Sequence, residues 1–425
     1  MKHLRNLVGA CLSAALLTAC GGSNTFSSSA AMPVAPQIVA PESVARQPLT
    51  GNGYKLLYSF GKPPDGESPN GLISVHGELY GTTSFGGSGG CQPSGCNIAG
   101  TVFDVTTSGH EHVLYSFEGA PDGLTPSADP VAVNGELYGP TLHGGSGQHC
   151  SGSGFYGCGI IFKVSTSGME HVLYSFKGRT DGANPDANLI AVNGALYGTT
   201  TSGGTLRAGG NGTVFELSTS GQEHVLHRFA GSPNDGADPL GSLISVKGTL
   251  YGTTQVGGAG YGTVFSVAPS GTETVLHSFA GSGDGAYPQA GLLNVKGTLY
   301  GTTTEGGANN YGTVFSITPS GTETVLHSFG GSGDGATPVA GLINVKGTLY
   351  GTTIEGGSRC RVNGGCGTVF EVTTSGQEHV RYSFKGRHGD GAYPAAALTA
   401  AAGVLYGTTL QGGASGAGTV FRISP

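Results

Sequence analysis

Tryptophan is absent from the 425 residues, methionine occurs three times, and only 11% of the chain is charged. The missing tryptophan sets the chain apart from repeat signatures built around that residue. No basic stripe runs anywhere and the formal charge is −7, which excludes nucleic acid or an anionic membrane surface as partner. The apolar run Leu7 to Leu17 falls short of the roughly 20 residues a spanning helix needs. With 81 glycines the composition borders on low complexity, yet the 37% of hydrophobic residues sit in short, regularly spaced runs that can fill a core.

What the chain does have is a word. Leu349-Tyr350-Gly351-Thr352-Thr353, followed by Gly356-Gly357, returns in fixed order around Tyr80, Tyr138, Tyr197, Tyr251, Tyr300, Tyr350 and Tyr406, spaced 49 to 59 residues apart. Seven copies at such a period mark a repeat architecture, which overrides the domain count that length suggests.

One copy reads as four strands. The run Leu292 to Val295 ends at Lys296-Gly297 and Thr298 to Thr303 follows at once, a two-residue hairpin. Its equivalents are His76-Gly77, Asn134-Gly135, Asn193-Gly194, Lys247-Gly248, Lys346-Gly347 and Ala402-Gly403. Thr313 to Ile317 supplies a third strand, Pro319-Ser320-Gly321 a turn, and Thr324 to Phe329 a fourth. Val314 beside Phe315, and Val325 beside Leu326, put apolar side chains on both faces, so each sheet must be covered on both sides. The expectation is all-β: a seven-bladed β-propeller of four-stranded antiparallel blades over residues 51–425. The chain enters at Lys55 to Phe60 with a fourth-strand motif and leaves at Gly418 to Ile423 with a third-strand motif. Closure by the N-terminal strand completes the last blade and removes two exposed edges. Both tight turns of a blade then fall on one face, and the variable loops on the other.

The spacing and the Gly-Gly resemble kelch repeats, which carry a tryptophan that this chain lacks. The full word, continued by Gly-Thr-Val-Phe, resembles the GloVer repeat family, found in tandem in exported bacterial proteins. That resemblance covers about residues 51–425 and implies architecture and location, not chemistry.

The N-terminus reads as a secretory signal over residues 1–19, with Lys2 and Arg5 before the apolar run. Leu17-Thr18-Ala19-Cys20 resembles a bacterial lipobox, which implies cleavage before Cys20, lipid on that cysteine, and anchoring in the cell envelope, at the outer membrane by the residue after it. Loss of Lys2 and Arg5 moves the formal charge to −9. Residues 20–50, rich in Ser, Ala and Pro, read as a disordered tether reaching roughly 30 Å.

Candidate functional residues follow from where the copies agree and differ. Asp-Gly with Pro three residues on recurs at Asp65, Asp122, Asp181, Asp235, Asp284, Asp334 and Asp390. One carboxylate per blade, without alternating acidic ligands, reads as a structural turn rather than a calcium loop. Cys91/Cys96, Cys150/Cys158 and Cys360/Cys366 each fall in one loop, which reads as three local disulfides of about 2–2.5 kcal/mol each rather than a zinc site. Gly86-Gly87-Ser88-Gly89-Gly90 matches a hydrolase nucleophile text but lacks the following helix. His227, His277 and His327 share one strand position with Tyr115, Tyr174 and Tyr382, a half-buried packing site rather than a ligand.

The residue before Gly-Gly varies: Phe85, His143, Ser202, Val256, Glu305, Glu355 and Gln411. Glu305 and Glu355, on adjacent blades, are the pair able to serve as acid and base across a sugar, although no substrate-binding aromatics cluster near them in sequence. Contact with a partner is expected at His143, Gln148, His149, Phe155, Tyr156, Arg359 and Arg361. The sequence therefore predicts a monomeric, non-catalytic binding or scaffold propeller for a glycan or protein, without cofactor or metal. A polysaccharide hydrolase or lyase, and a purely structural envelope protein, are the alternatives.

Overall fold

The computed structural model describes residues 53–89, 99–147, 150, 157–205, 209–358, 360, 364–386 and 389–425. The expected signal, Cys20, the tether, and Cys91 and Cys96 lie outside them.

Seven four-stranded antiparallel blades stand in a ring. They are numbered I to VII here by the second-strand tyrosines Tyr80, Tyr138, Tyr197, Tyr251, Tyr300, Tyr350 and Tyr406. In blade V the strands are Leu293–Val295, Thr298–Thr303, Thr313–Ile317 and Glu323–Ser328, paired in that order. First strands of successive blades touch around the axis, which leaves the fourth strands outermost. Every first hairpin carries positive φ at both central residues, as at Lys296 (53°) and Gly297 (93°), the backbone that joins twisted strands in two residues.

Adjacent residues of the third strand serve opposite neighbours. Phe315 packs with Val264, Phe279 and Leu292 on the blade IV side, while Val314 packs with Phe329, Leu349 and Phe370 toward blade VI. All seven interfaces repeat one contact: the Phe ending a fourth strand meets, edge to face, the third-strand Phe of the next blade. Phe279–Phe315 and Phe60–Phe103 have centroids 5.2 and 5.1 Å apart, and the other five interfaces lie between 5.1 and 5.3 Å. Such pairs add about 0.5–1.5 kcal/mol each beyond area burial.

The repeated word follows from this packing. A Cβ on Gly301 would stand 2.5 Å from the Phe315 ring, so the strand passes the ring only as glycine. The next threonine donates to a carbonyl of the following blade, as Thr302 Oγ1 to Ala340 at 3.1 Å and, across the seam, Thr408 Oγ1 to Asn70 at 2.6 Å. In blade II the position is Pro140, which has no such donor.

Lys55–Ser59 closes blade VII against Thr419–Ile423, in antiparallel register Lys55↔Arg422 to Ser59↔Thr419 with one bulge. Leu57 and Phe60 are buried there, and the Phe60 N–H donates to Gly418 at 3.0 Å. The Phe contact and the threonine bond of the other interfaces thus recur at the seam.

Candidate functional site on the loop face

The linker between blades is more ordered than a loop. Its Gly-Ala pairs with the residues at the end of the second strand, as Gly285↔Gly306 and Ala286↔Glu305, or Gly335↔Gly356 and Ala336↔Glu355. The aspartate before it holds three donors. Asp334 Oδ2 accepts the Gly330 N–H at 2.8 Å and faces His327 Nε2 at 3.1 Å, while Oδ1 accepts the Gly335 N–H at 2.7 Å. Asp122 is arranged in the same way with the Tyr115 hydroxyl at 3.0 Å. Asp-Gly, expected as a turn, and Gly-Gly are therefore two sides of one short ladder.

Beyond this ladder each linker turns left-handed at one residue just before its proline. Ser68, Thr125, Asn184, Asp238, Tyr287, Thr337 and Tyr393 all have φ between 54° and 60°. Glycine holds that conformation without cost, and none of the seven is glycine; a β-branched or aromatic residue there costs about 1–3 kcal/mol. Two backbone bonds fix it: Tyr287 N–H donates to Tyr261 O at 2.8 Å, and Thr304 N–H donates to Tyr287 O at 3.3 Å. The loop face thus presents a rigid ring of seven side chains of five kinds.

Its two halves differ. On blades I to III it is polar and close to the axis. Asp129 accepts the Gly71 N–H at 2.6 Å and the Asn188 amide at 3.1 Å, tying three blades together. Burial pushes Asp129 up, against those two donors, and pushes Asp186 up to about 6 against the Ser127 hydroxyl. His143 Nδ1 stands 3.4 Å from the Asn184 amide, and burial lowers its pKa.

On blades IV to VI it is aromatic. Tyr261 and Tyr311, one repeat apart, are 40% and 46% exposed and, with Met169, are the large apolar side chains most open to water among the described residues. Tyr261 leans on Gly281 and Tyr311 on Gly331. The Tyr261 and Tyr287 rings lie 5.8 Å apart. Glu305 sits beside them, since its strand partner Ala286 precedes Tyr287 and the Thr304 hydroxyl donates to Tyr287 O at 2.9 Å. The sequence shows no aromatics clustered near the glutamates; in the fold Tyr261, at the third-strand entry of blade IV, and Tyr287, in the linker, reach Glu305 from segments distant in sequence. The signal was present as Tyr-Gly-Thr-Val-Phe, found in two copies only.

Glu305 and Glu355 occupy equivalent places on adjacent blades. Glu355 is raised by burial, with a hydrogen bond from Thr337 opposing, and Glu305 is not among the causes. Gln148, His149, Phe155, Tyr156, Arg359 and Arg361 lie outside the described residues. Cys150–Cys158 and Cys360–Cys366 are bonded, with Cα atoms 5.2 and 5.5 Å apart. A cleft of about 390 Å³ opens elsewhere, between blades I and II, lined by Tyr115, Glu118, Asp122 and Glu170 among others.

Residues 148–364 match the Gloeobacter/Verrucomicrobia repeat model. The chain belongs to that repeat family. The match spans blades III to V and parts of II and VI, and includes the Asp334 ladder and the exposed Tyr261 and Tyr311. No curated protein matches the chain. Among solved structures, a puromycin-hydrolyzing peptidase of Mycobacterium tuberculosis is similar at 9% identity and a TM-score of 0.47, over 82% of this chain and 52% of that one. A gluconolactonase of Xanthomonas campestris is similar at 15% identity and a TM-score of 0.39, over 72% and 86%. The chain spans about half the length of the peptidase.

Proposed function

We propose that this family member is an envelope-anchored, non-catalytic module that binds an extended glycan along blades IV to VI of its loop face. The observation that carries the reading is the pair of half-exposed tyrosines, Tyr261 and Tyr311, one blade apart on a rigid frame. Flat aromatic faces take the apolar faces of sugar rings, while fixed carboxylates and hydroxyls beside them, Glu305, Glu355 and Thr337, take sugar hydroxyls. A repeating surface suits a repeating ligand, and the negative net charge disfavours a polyanionic one. Lipid attachment at Cys20 would hold the ring at the membrane while the tether leaves its face free.

A glycan array probed with the chain tests this. Tyr261→Ala and Tyr311→Ala should each weaken binding to any positive glycan about tenfold, the loss of one aromatic anchor. A double variant that binds as the parent does refutes the assignment, and an array with no positive turns attention to a protein partner or a structural role. The burial that raises Glu355 favours one second reading, a hydrolase using it as acid with Glu305 as base. Under that reading, Glu305→Gln and Glu355→Gln abolish turnover while binding persists; a substrate screen without turnover removes it.

A further inference from the structure

At the outer circumference of each interface, the fourth strand of one blade, the linker aspartate and the fourth strand of the next blade meet. Three consecutive interfaces hold the same residues: His227, Asp235 and Glu273; His277, Asp284 and Glu323; His327, Asp334 and Glu378. In each, one imidazole nitrogen and one oxygen from each carboxylate lie within 4.8 Å of one another. The Nε2 to Oδ2 separations are 3.2, 3.2 and 3.1 Å. Neighbouring ligands about 2.1 Å from a metal stand about 3.0–3.4 Å apart in octahedral or tetrahedral shells, so these gaps suit a shared ion as well as a hydrogen bond. One imidazole with two carboxylates is a donor set for divalent transition cations.

A second observation is independent of those distances. Glu273, Glu323 and Glu378 each bury Oε1 with no hydrogen-bond partner, a costly state for a carboxylate oxygen that a proton or a cation relieves; the rim shares this demand at six interfaces, and only the histidine interfaces add a nitrogen donor to answer it with a metal. The aspartates are already oriented by backbone donors, Ala230, Ala280 and Gly330, at 2.7, 3.0 and 2.8 Å.

The molecule carries its own control. Glu111, Glu170 and Glu223 bury the same oxygen at interfaces where tyrosine replaces histidine; Tyr58, Tyr115 and Tyr174 donate a phenol to Asp65, Asp122 and Asp181 at 2.9, 3.0 and 2.9 Å. Those interfaces have the carboxylates without the nitrogen.

We propose that the three His-Asp-Glu clusters are three equivalent sites for a divalent transition cation such as Zn²⁺, clamping blade III to IV, IV to V and V to VI. The reading of these histidines as packing residues then covers only part of their role. It does not depend on the glycan reading.

The test uses the intact chain, stripped with chelator and titrated with Zn²⁺ alone, followed by calorimetry and metal analysis. Three Zn²⁺ per chain are expected, together with a rise in melting temperature. His227→Tyr, His277→Tyr and His327→Tyr install the residue that the chain itself uses at the equivalent positions; each should remove one Zn²⁺, and the triple variant all three and the thermal shift. Glu273→Gln, Glu323→Gln and Glu378→Gln, nearly isosteric, should together do the same. A parent that neither binds Zn²⁺ nor melts higher with it, or a triple tyrosine variant that retains three ions, overturns the proposal.

Discussion

The interface glutamates make the ring sensitive to pH in an unusual direction. Glu111, Glu170, Glu223, Glu273, Glu323 and Glu378 are each pushed up to about 7, first by burial and then by the aspartate of the adjoining linker. In the unfolded chain a glutamate titrates near 4.3. Between those values the folded chain keeps protons that the unfolded chain has released, so stability falls as pH rises. The contribution is complete below about 4.3 and lost through about 7. Asp235, Asp284 and Asp334 act oppositely: burial pushes them up, but hydrogen bonds from histidine and backbone N–H groups prevail and lower them. Their share disappears only in acid, below the ordinary aspartate value near 3.9.

Moving a carboxyl from near 4.3 to about 7 is worth about 3 kcal/mol per group at full value, and water near these half-buried carboxyls reduces it to about 1 kcal/mol. Six such groups give about 6 kcal/mol, comparable with the total stability of many folded chains. For a ring of this size that is a fall of about 8 °C in melting temperature. The assay is thermal unfolding in chelator from pH 5 to 8.5, followed by circular dichroism. A melting temperature that is flat or rises over that range would refute the reasoning, as would an unchanged slope when all six are replaced by Gln. Zn²⁺ should restore part of the stability at pH 8, by taking the place of the proton at three of the six.

The remaining predictions concern the frame. Deleting residues 51–60 should abolish cooperative melting, because blade VII loses its outer strand together with Leu57 and Phe60; Phe60→Ala alone should cost about 3–5 kcal/mol in urea unfolding. Tyr54 takes the glutamate's place at the seam, donating to Asp390 at 2.8 Å and stacking on Tyr382 at 3.9 Å; Tyr54→Phe should cost about 1–2 kcal/mol in the same assay. Gly301→Ala drives a methyl into the Phe315 ring and should cost about 1–3 kcal/mol, whereas a cost near zero would show that the ring can move.

The blades, their hairpins and the closing strand were legible because each is written in a short window. Lys296-Gly297 sets a turn, Val314 beside Phe315 demands neighbours on both sides, and the incomplete ends at Lys55 and Ile423 complement each other. What the sequence hid are contacts made between copies. Asp284 meets His277 and Glu323 only after one blade is laid on another at a fixed angle, and nothing local marks Glu323 as the third member. Tyr287 and Tyr393 stand at left-handed positions just before proline, where sequence preference points elsewhere, so only the folded linker reveals that a side chain is held there at cost.

That difference has a physical origin which also says where function resides. Seven blades close without a gap only if all seven interfaces turn the chain by nearly the same angle, and the Phe pairs at 5.1 to 5.3 Å show how narrow that tolerance is. The Phe pair and the glycine facing it are bound to repeat, whereas the buried aliphatic near the end of the third strand varies among Val267, Leu217 and Ile317 without opening the ring. Chemical variety is greatest in groups that do not set the angle: the left-handed residue of each linker, the residue before Gly-Gly, and the Tyr or His at the rim. Tyrosine and histidine exchange freely at the rim because both reach the same aspartate while leaving the Phe pair intact. The exchange is therefore neutral for closure, and the three imidazoles are free to answer to something outside the fold.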